Sequence, residues 1–224
     1  MKPVLTIELL KKAAKEFCAT ESTYHNTDLY GITDGKAVGT YIEHKFQKYL
    51  SSLYEYEIGS SAKGIDLPGD NIQTDIKVTS IKQPQSSCPF KDAKQKIYGL
   101  GYNLLVFVYE KLDNPKSQAA ILDFKSCSYL DKSRTGDFTT TFRIREMIRD
   151  GAIKEDVIAY LSDKNIPADE VTLDQIAEGI LENPPEQGYL TISNALQWRL
   201  QYARIVTLTE PVNGIYKLVD KVTK

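Results

Sequence analysis

The stretch Gly64–Thr79, GIDLPGDNIQTDIKVT, decides how this 224-residue chain is read. Over its second half, Ile72, Thr74, Ile76 and Val78 alternate with Gln73, Asp75, Lys77 and Thr79. A period of two is that of a strand, whose successive side chains point to opposite faces. One face is mostly apolar. The other carries an acid and a lysine two residues apart, so both point the same way. Asp66 lies nine residues upstream of Asp75, just before Leu67, Pro68 and Gly69, which read as a turn. Two carboxylates that converge on a divalent cation, with an ammonium beside them, suit hydrolysis of a phosphodiester.

Upstream of this stretch, Val38, Ile42, Phe46, Tyr49, Leu50 and Leu53 recur at helical spacing and predict an amphipathic helix over 36–53. That helix carries Glu43. A shorter helix is expected over 4–18 and a strand over 54–58. Downstream, a helix is expected over 91–99. Asn103–Tyr109, NLLVFVY, is a nearly continuous apolar run, as in a central strand covered on both faces. Ala119–Tyr129 reads as another strand after the turn Asp113-Asn114-Pro115. Helical patterns cover about 141–162 and 170–182, and Asn183-Pro184-Pro185 breaks them. A helix from about 191 and strands at 205–208 and 214–219 complete the chain. The order predicts an α/β domain with a mixed central sheet, helices on its faces and a mostly helical insertion near 150–185.

The chain is 42% hydrophobic and 26% charged, an ordinary globular composition. No apolar run approaches the roughly 18 residues of a membrane helix, and the charged N-terminus lacks a signal-peptide core. Three cysteines without CxxC spacing read as idle thiols in a reducing cytoplasm. The net charge of −2 is unevenly placed: residues 155–186 hold nine acids and Lys164, a net −8, and the remainder is +6. A basic body with an acidic appendage facing away is compatible with DNA binding. The two histidines, His25 and His44, form no cluster, which argues against a histidine-based metal nuclease or a Ser-His hydrolase. No phosphate loop of the GxxxxGK[ST] type occurs, so no nucleotide cofactor is expected.

The pattern acid-x-Lys occurs five times, at Asp34-Lys36, Glu43-Lys45, Asp75-Lys77, Asp92-Lys94 and Asp123-Lys125. Only Asp75-Lys77 and Asp123-Lys125 fall on predicted strands. The first has Asp66 across a Pro-Gly turn and Glu43 on the preceding helix; the second has no comparable supporting acid. Asp66, then Asp75-Ile76-Lys77 on a strand after an acid-bearing helix, resembles the PD-(D/E)xK nucleases, and within them the type II restriction endonucleases. Ile65 stands where that family's motif usually has proline. The likeness extends by element order over about residues 36–130.

The resemblance implies a restriction-endonuclease-like core and Mg²⁺-dependent, sequence-specific cleavage of double-stranded DNA. Asp66 and Asp75 would ligate the metal, with the Ile76 carbonyl as a further oxygen ligand. Lys77 would orient the attacking water, and Glu43 would serve as second-shell partner or second-metal ligand. One endonuclease domain over 1–224 is expected, with residues 131–224 supplying recognition or dimerisation. A two-fold homodimer would match a palindromic target. Lys82, Gln83 and Gln85 leave the active strand as a polar segment able to meet phosphates or base edges. On a helix over 191–204, Asn194, Gln197, Gln201 and Arg204 would form one polar stripe suited to base edges. Arg143, Arg145 and Arg149 either grip phosphates or pair with nearby acids. A structure-specific or repair nuclease with the same core, and a non-catalytic DNA-binding protein, are the competing readings.

Overall fold

A computed structural model describes residues 2–59, 64–88, 91–193 and 198–223. Two helices open the chain, α1 (Ile7–Glu21) and α2 (Gly35–Leu53). Thr6 caps α1, and Asp34 caps α2 by accepting the Lys36 backbone N–H at 2.9 Å. Strands β1 (Thr74–Ser80) and β2 (Gln85–Cys88) follow, then the short α3 (Gln95–Tyr98). The long strands β3 (Asn103–Asn114) and β4 (Ala119–Leu130) precede three helices, α4 (Phe138–Arg149), α5 (Lys154–Asp163) and α6 (Glu170–Glu182). The chain finishes with β5 (Thr191–Ile192), β6 (Trp198–Gln201), α7 (Ala203–Val206) and β7 (Ile215–Asp220).

The main sheet has the order β1-β3-β4-β7, so β1 is an edge strand. β1 runs parallel to β3, with Asp75 opposite Leu104 and Lys77 opposite Val106; the other two pairings are antiparallel. A mixed sheet flanked by helices is therefore present, as the element order predicts. The apolar run of β3 serves both faces. Leu105, Phe107 and Tyr109 join the core beneath α1 and α2, whereas Leu104, Val106 and Val108 join a second core with Leu200, Tyr202 and Ile205. Ile76 and Val78 of β1 belong to the first core, which turns Asp75 and Lys77 the other way. A smaller antiparallel sheet, β2-β6-β5, lies over that second side. α4, α5 and α6 enclose a third core around Ile144, Val157 and Ile176, the helical region expected near 150–185. Cys18, Cys88 and Cys127 are buried, as expected.

Several expectations are corrected. Residues 54–58 form no strand; only a bridge between Val4 and Glu55 is made. The pattern over 141–162 is two helices, because Gly151 takes a φ of +83° between them. Residues 205–208 lie in and after α7 rather than in a strand. The largest correction is the helix expected over 191–204, which is replaced by β5, β6 and α7. Leu196, Leu200 and Ala203 are spaced like a helical stripe, but Arg199 is exposed, Leu200 buried, Gln201 half-buried and Tyr202 buried. That alternation is a strand's period, and burial of Leu200 and Tyr202 against β3 decides it. Among the described residues, no helix is long and apolar enough to cross a membrane.

Candidate active site

The Pro68-Gly69 turn does what its sequence implies. The Ile72 and Gln73 N–H groups donate to the Gly69 carbonyl at 2.8 and 2.9 Å, closing the turn. Leu67 and Thr74 then exchange two backbone hydrogen bonds of 3.0 Å, so the segment before the turn lies antiparallel to the start of β1. This places Asp66 beside Ile76, whose N–H donates to Asp66 Oδ2 at 2.8 Å. Asp70, the other acid of the stretch, is exposed at the turn. Gly59 supports Asp66 from behind. Its N–H donates to the Asp66 carbonyl at 2.8 Å, and a Cβ there would stand 2.7 Å from the same oxygen. Only glycine tolerates that approach.

Asp75 and Lys77 point the same way from β1, and Lys77 Nζ lies 2.7 Å from Asp75 Oδ2. Asp75 is 6% exposed. Burial pushes its carboxyl up to about 6, Lys77 opposes the shift, and contact with Asp66 reinforces it. The ammonium is held well above the usual lysine range by Asp75, against the effect of burial. Glu43 reaches the same place from α2, which approaches β1 closely at Gly39, where a Cβ would sit 3.3 Å from the Val78 carbonyl. Burial and the repulsion of Asp66 push Glu43 up to about 7. Glu43, Asp66, Asp75, Ile76 and Lys77 all line one cleft of about 340 Å³.

Burial and the neighbouring acids raise the proton affinity of Glu43 and of Asp75, so the site is short of positive charge. Among the described residues, no three carboxylate, imidazole or thiolate side chains stand close enough to cage a metal unaided. A small hard cation that retains several waters needs only one or two carboxylates, and Asp66 with Asp75 meets that requirement. The rival pair behaves differently. Asp123 accepts from Lys125 and Lys221 at 2.7 and 2.6 Å, and Lys125 also meets Glu110. It is a neutralised cluster spanning β3 and β4, away from the Asp66 turn.

A second, larger groove of about 810 Å³ adjoins the cleft, sharing Glu43 and Lys77. Lys82, Gln83 and Gln85 line it. The polar stripe of the expected helix does not form. Asn194 and Gln197 lie outside the described residues, Gln201 pairs with Gln85 and Thr191 in the small sheet, and Arg204 stacks its guanidinium 3.6 Å from the Phe138 ring centre. Arg143 and Arg149 pair with Glu146, Arg149 also with Asp150, and Arg145 donates to the Pro185 carbonyl.

Two neighbours of the site escaped the sequence reading. Gln47, one helical turn after Glu43, reaches Asp66 Oδ1 with its amide at 3.4 Å; the i, i+4 spacing from Glu43 was the available signal. Arg199 lines the groove from β6, and reading its segment as a helix hid it.

Over residues 4–217 the chain matches the family described as type II restriction enzyme NspV. It is 53% identical over 212 residues to the type II restriction enzyme NspV of Nostoc sp. (strain ATCC 29411 / PCC 7524), covering 95% of this chain and 96% of that protein. No solved structure matches it.

Proposed function

Because the chain belongs to the family of the type II restriction enzyme NspV, we propose that the cleft at Glu43, Asp66, Asp75 and Lys77 is where it cuts DNA. The chain is a site-specific deoxyribonuclease. The further reading is a PD-(D/E)xK nuclease with a restriction-endonuclease-like core, dependent on Mg²⁺. The observation that carries it is the meeting of Asp66 with the Asp75-Ile76-Lys77 strand, through the Ile76 N–H bond to Asp66.

Asp66 and Asp75 would hold Mg²⁺, with the Ile76 carbonyl as an additional oxygen. When bound, Mg²⁺ supplies polarisation of the scissile phosphate and acidification of a water. The chain's own groups do the remaining work. Asp75 fixes the Lys77 ammonium, which stays protonated and donates to the attacking water and to the charge growing on phosphorus. Gln47 and the Ile76 N–H orient Asp66 from its two oxygens. Glu43, pushed up to about 7, is a proton acceptor suited to neutral solution or a further ligand. Lys82, Gln83 and Gln85 are placed to meet the duplex beside the cut.

The chain would act as a homodimer, one cleft per strand of a palindromic duplex. All of it serves one endonuclease domain, with the core over 36–130. Its three buried cysteines suit the reducing cytoplasm.

The test is plasmid cleavage in Mg²⁺ with EDTA and Asp75→Ala controls. Discrete fragments that vanish in both controls are expected. Fragments that persist with Asp75→Ala sink the site, and fragments that persist in EDTA sink the metal dependence.

A further inference from the structure

The groove beside the cleft has a composition that the cleft itself does not explain. Lys36 enters from the first turn of α2, Lys82 from the turn after β1, and Arg199 from β6. All three are exposed. Among the described residues none of them forms an ion pair, although Glu43 lines the same groove. Elsewhere the chain neutralises many of its cations: Lys45 with Glu21, Lys125 with Glu110 and Asp123, Arg134 with Glu186. On a chain of net charge −2, a groove with three unneutralised cations is a local excess of positive charge.

The rest of the lining is donor-rich and flat in chemistry. Hydroxyls such as Thr40 and Ser87 and the amides of Gln83 and Gln85 line it beside glycines, and among the described residues Val78 is the apolar exception and no aromatic ring takes part. Among the described residues the groove offers a base nothing to stack on. Hydroxyls, amides and unpaired cations are what phosphate oxygens take. Lys77 borders both the groove and the cleft, so what fills the groove is continuous with what reacts.

We infer that Lys36 and Arg199, with Lys82, are phosphate contacts that track the DNA strand flanking the scissile bond, fixing its register rather than reading its bases. This rests on the cleft being the active site. It assigns positioning to Arg199, a residue type that elsewhere reads guanine, and leaves base reading to other parts of the chain.

The experiment measures binding in EDTA to two duplex fragments, one with a mapped cut site and one without, as sodium chloride is varied. Wild type, Lys36→Ala, Arg199→Ala and the double variant are compared. Each phosphate contact removed should lower the slope of log K against log salt by about 0.9, and the double variant by about 1.8. Both fragments should weaken by the same factor, and Arg199→Lys should restore the slope. Unchanged slopes, or a loss confined to the fragment carrying the cut site, would overturn the assignment. Cleavage by Asp75→Ala, assayed in parallel with Mg²⁺, would overturn it differently, by removing the anchor from which the path is drawn. Unchanged slopes with an inactive Asp75→Ala would remove the groove alone.

Discussion

Asp75→Asn should make this protein more stable in EDTA, although the residue sits in the proposed active site. Asp75 is buried, and its carboxyl is pushed from 3.8 up to about 6. A carboxyl that binds its proton more tightly in the folded than in the unfolded chain weakens folding once pH exceeds both values. Each pH unit between them is worth roughly 1.4 kcal/mol, which gives a penalty of about 3 kcal/mol at about pH 8. Asparagine keeps the shape and still accepts from Lys77, but it carries no charge. For a chain of this length the gain corresponds to roughly 6–12 °C in Tm. The sign fixes the pH course. Wild type should gain stability as pH falls from about 8 through 6, and the gain should be complete near 3.8. The variant lacks this part of the gain, so the difference between the two curves isolates Asp75. Urea unfolding at several pH values reads both curves. With Mg²⁺ added, wild type should be stabilised and the variant much less, because linkage follows affinity for the native state. A variant no more stable than wild type in EDTA at about pH 8 would refute the account of Asp75 as a carboxylate whose burial outweighs its pairing with Lys77.

Lys77→Ala should lower the single-turnover cleavage rate by roughly 10²–10³-fold or more while leaving DNA binding nearly intact; full activity in that variant removes Lys77 from the chemistry. Gln47→Ala should raise the Mg²⁺ concentration needed for half-maximal cleavage by roughly 10–100-fold, and an unchanged metal titration shows that Asp66 needs no help from α2. Gly59→Ala drives a methyl group toward the Asp66 carbonyl, at 2.7 Å, and should reduce cleavage far more than Gly179→Ala in α6, whose Cβ would meet only the Tyr98 hydroxyl at 3.7 Å. Phe107 packs against Phe17, Phe46 and Phe124 at 5.1 to 6.0 Å; Phe107→Ala should cost roughly 3–5 kcal/mol of unfolding free energy, and a loss under 1 kcal/mol would mean the ring cluster does not support α2.

What the sequence discloses depends on whether a signal is local. The 64–79 stretch is self-contained: a turn folds it back on itself, so Asp66 and Asp75 meet through neighbours in sequence and the spacing alone exposes them. α2 announces itself over five turns of apolar residues, and β3 by a run too apolar for any exposed face. Around 191–204 the decisive information is elsewhere in the chain. WRLQY satisfies a helical and a strand reading equally, and what separates them is that β2 offers an edge to pair with and β3 a surface for Leu200 and Tyr202. Propensity cannot supply a partner strand more than a hundred residues away. The same holds for Gln47, whose value depends on where Asp66 sits rather than on its own surroundings in sequence.

The edge position of β1 suits the chemistry proposed for the cleft. A strand inside the sheet has both flanks paired, and its buried polar groups must be satisfied by protein. β1 has one flank against β3, while among the described residues the other is paired by backbone only at Thr74, with Leu67, and Asp66 fills the next position by accepting the Ile76 N–H. The carboxylate thereby satisfies a strand donor and is fixed beside Asp75 by the same bond. Backbone pairing on one side and a side-chain acceptor on the other hold the site more rigidly than a loop would, which is what positioning a reactive phosphate demands. Adding an ordinary partner strand at this edge would satisfy the backbone better and abolish the cleft. The residual instability of clustered carboxylates is the consequence of leaving the edge open, and it is the quantity that Asp75→Asn in EDTA measures.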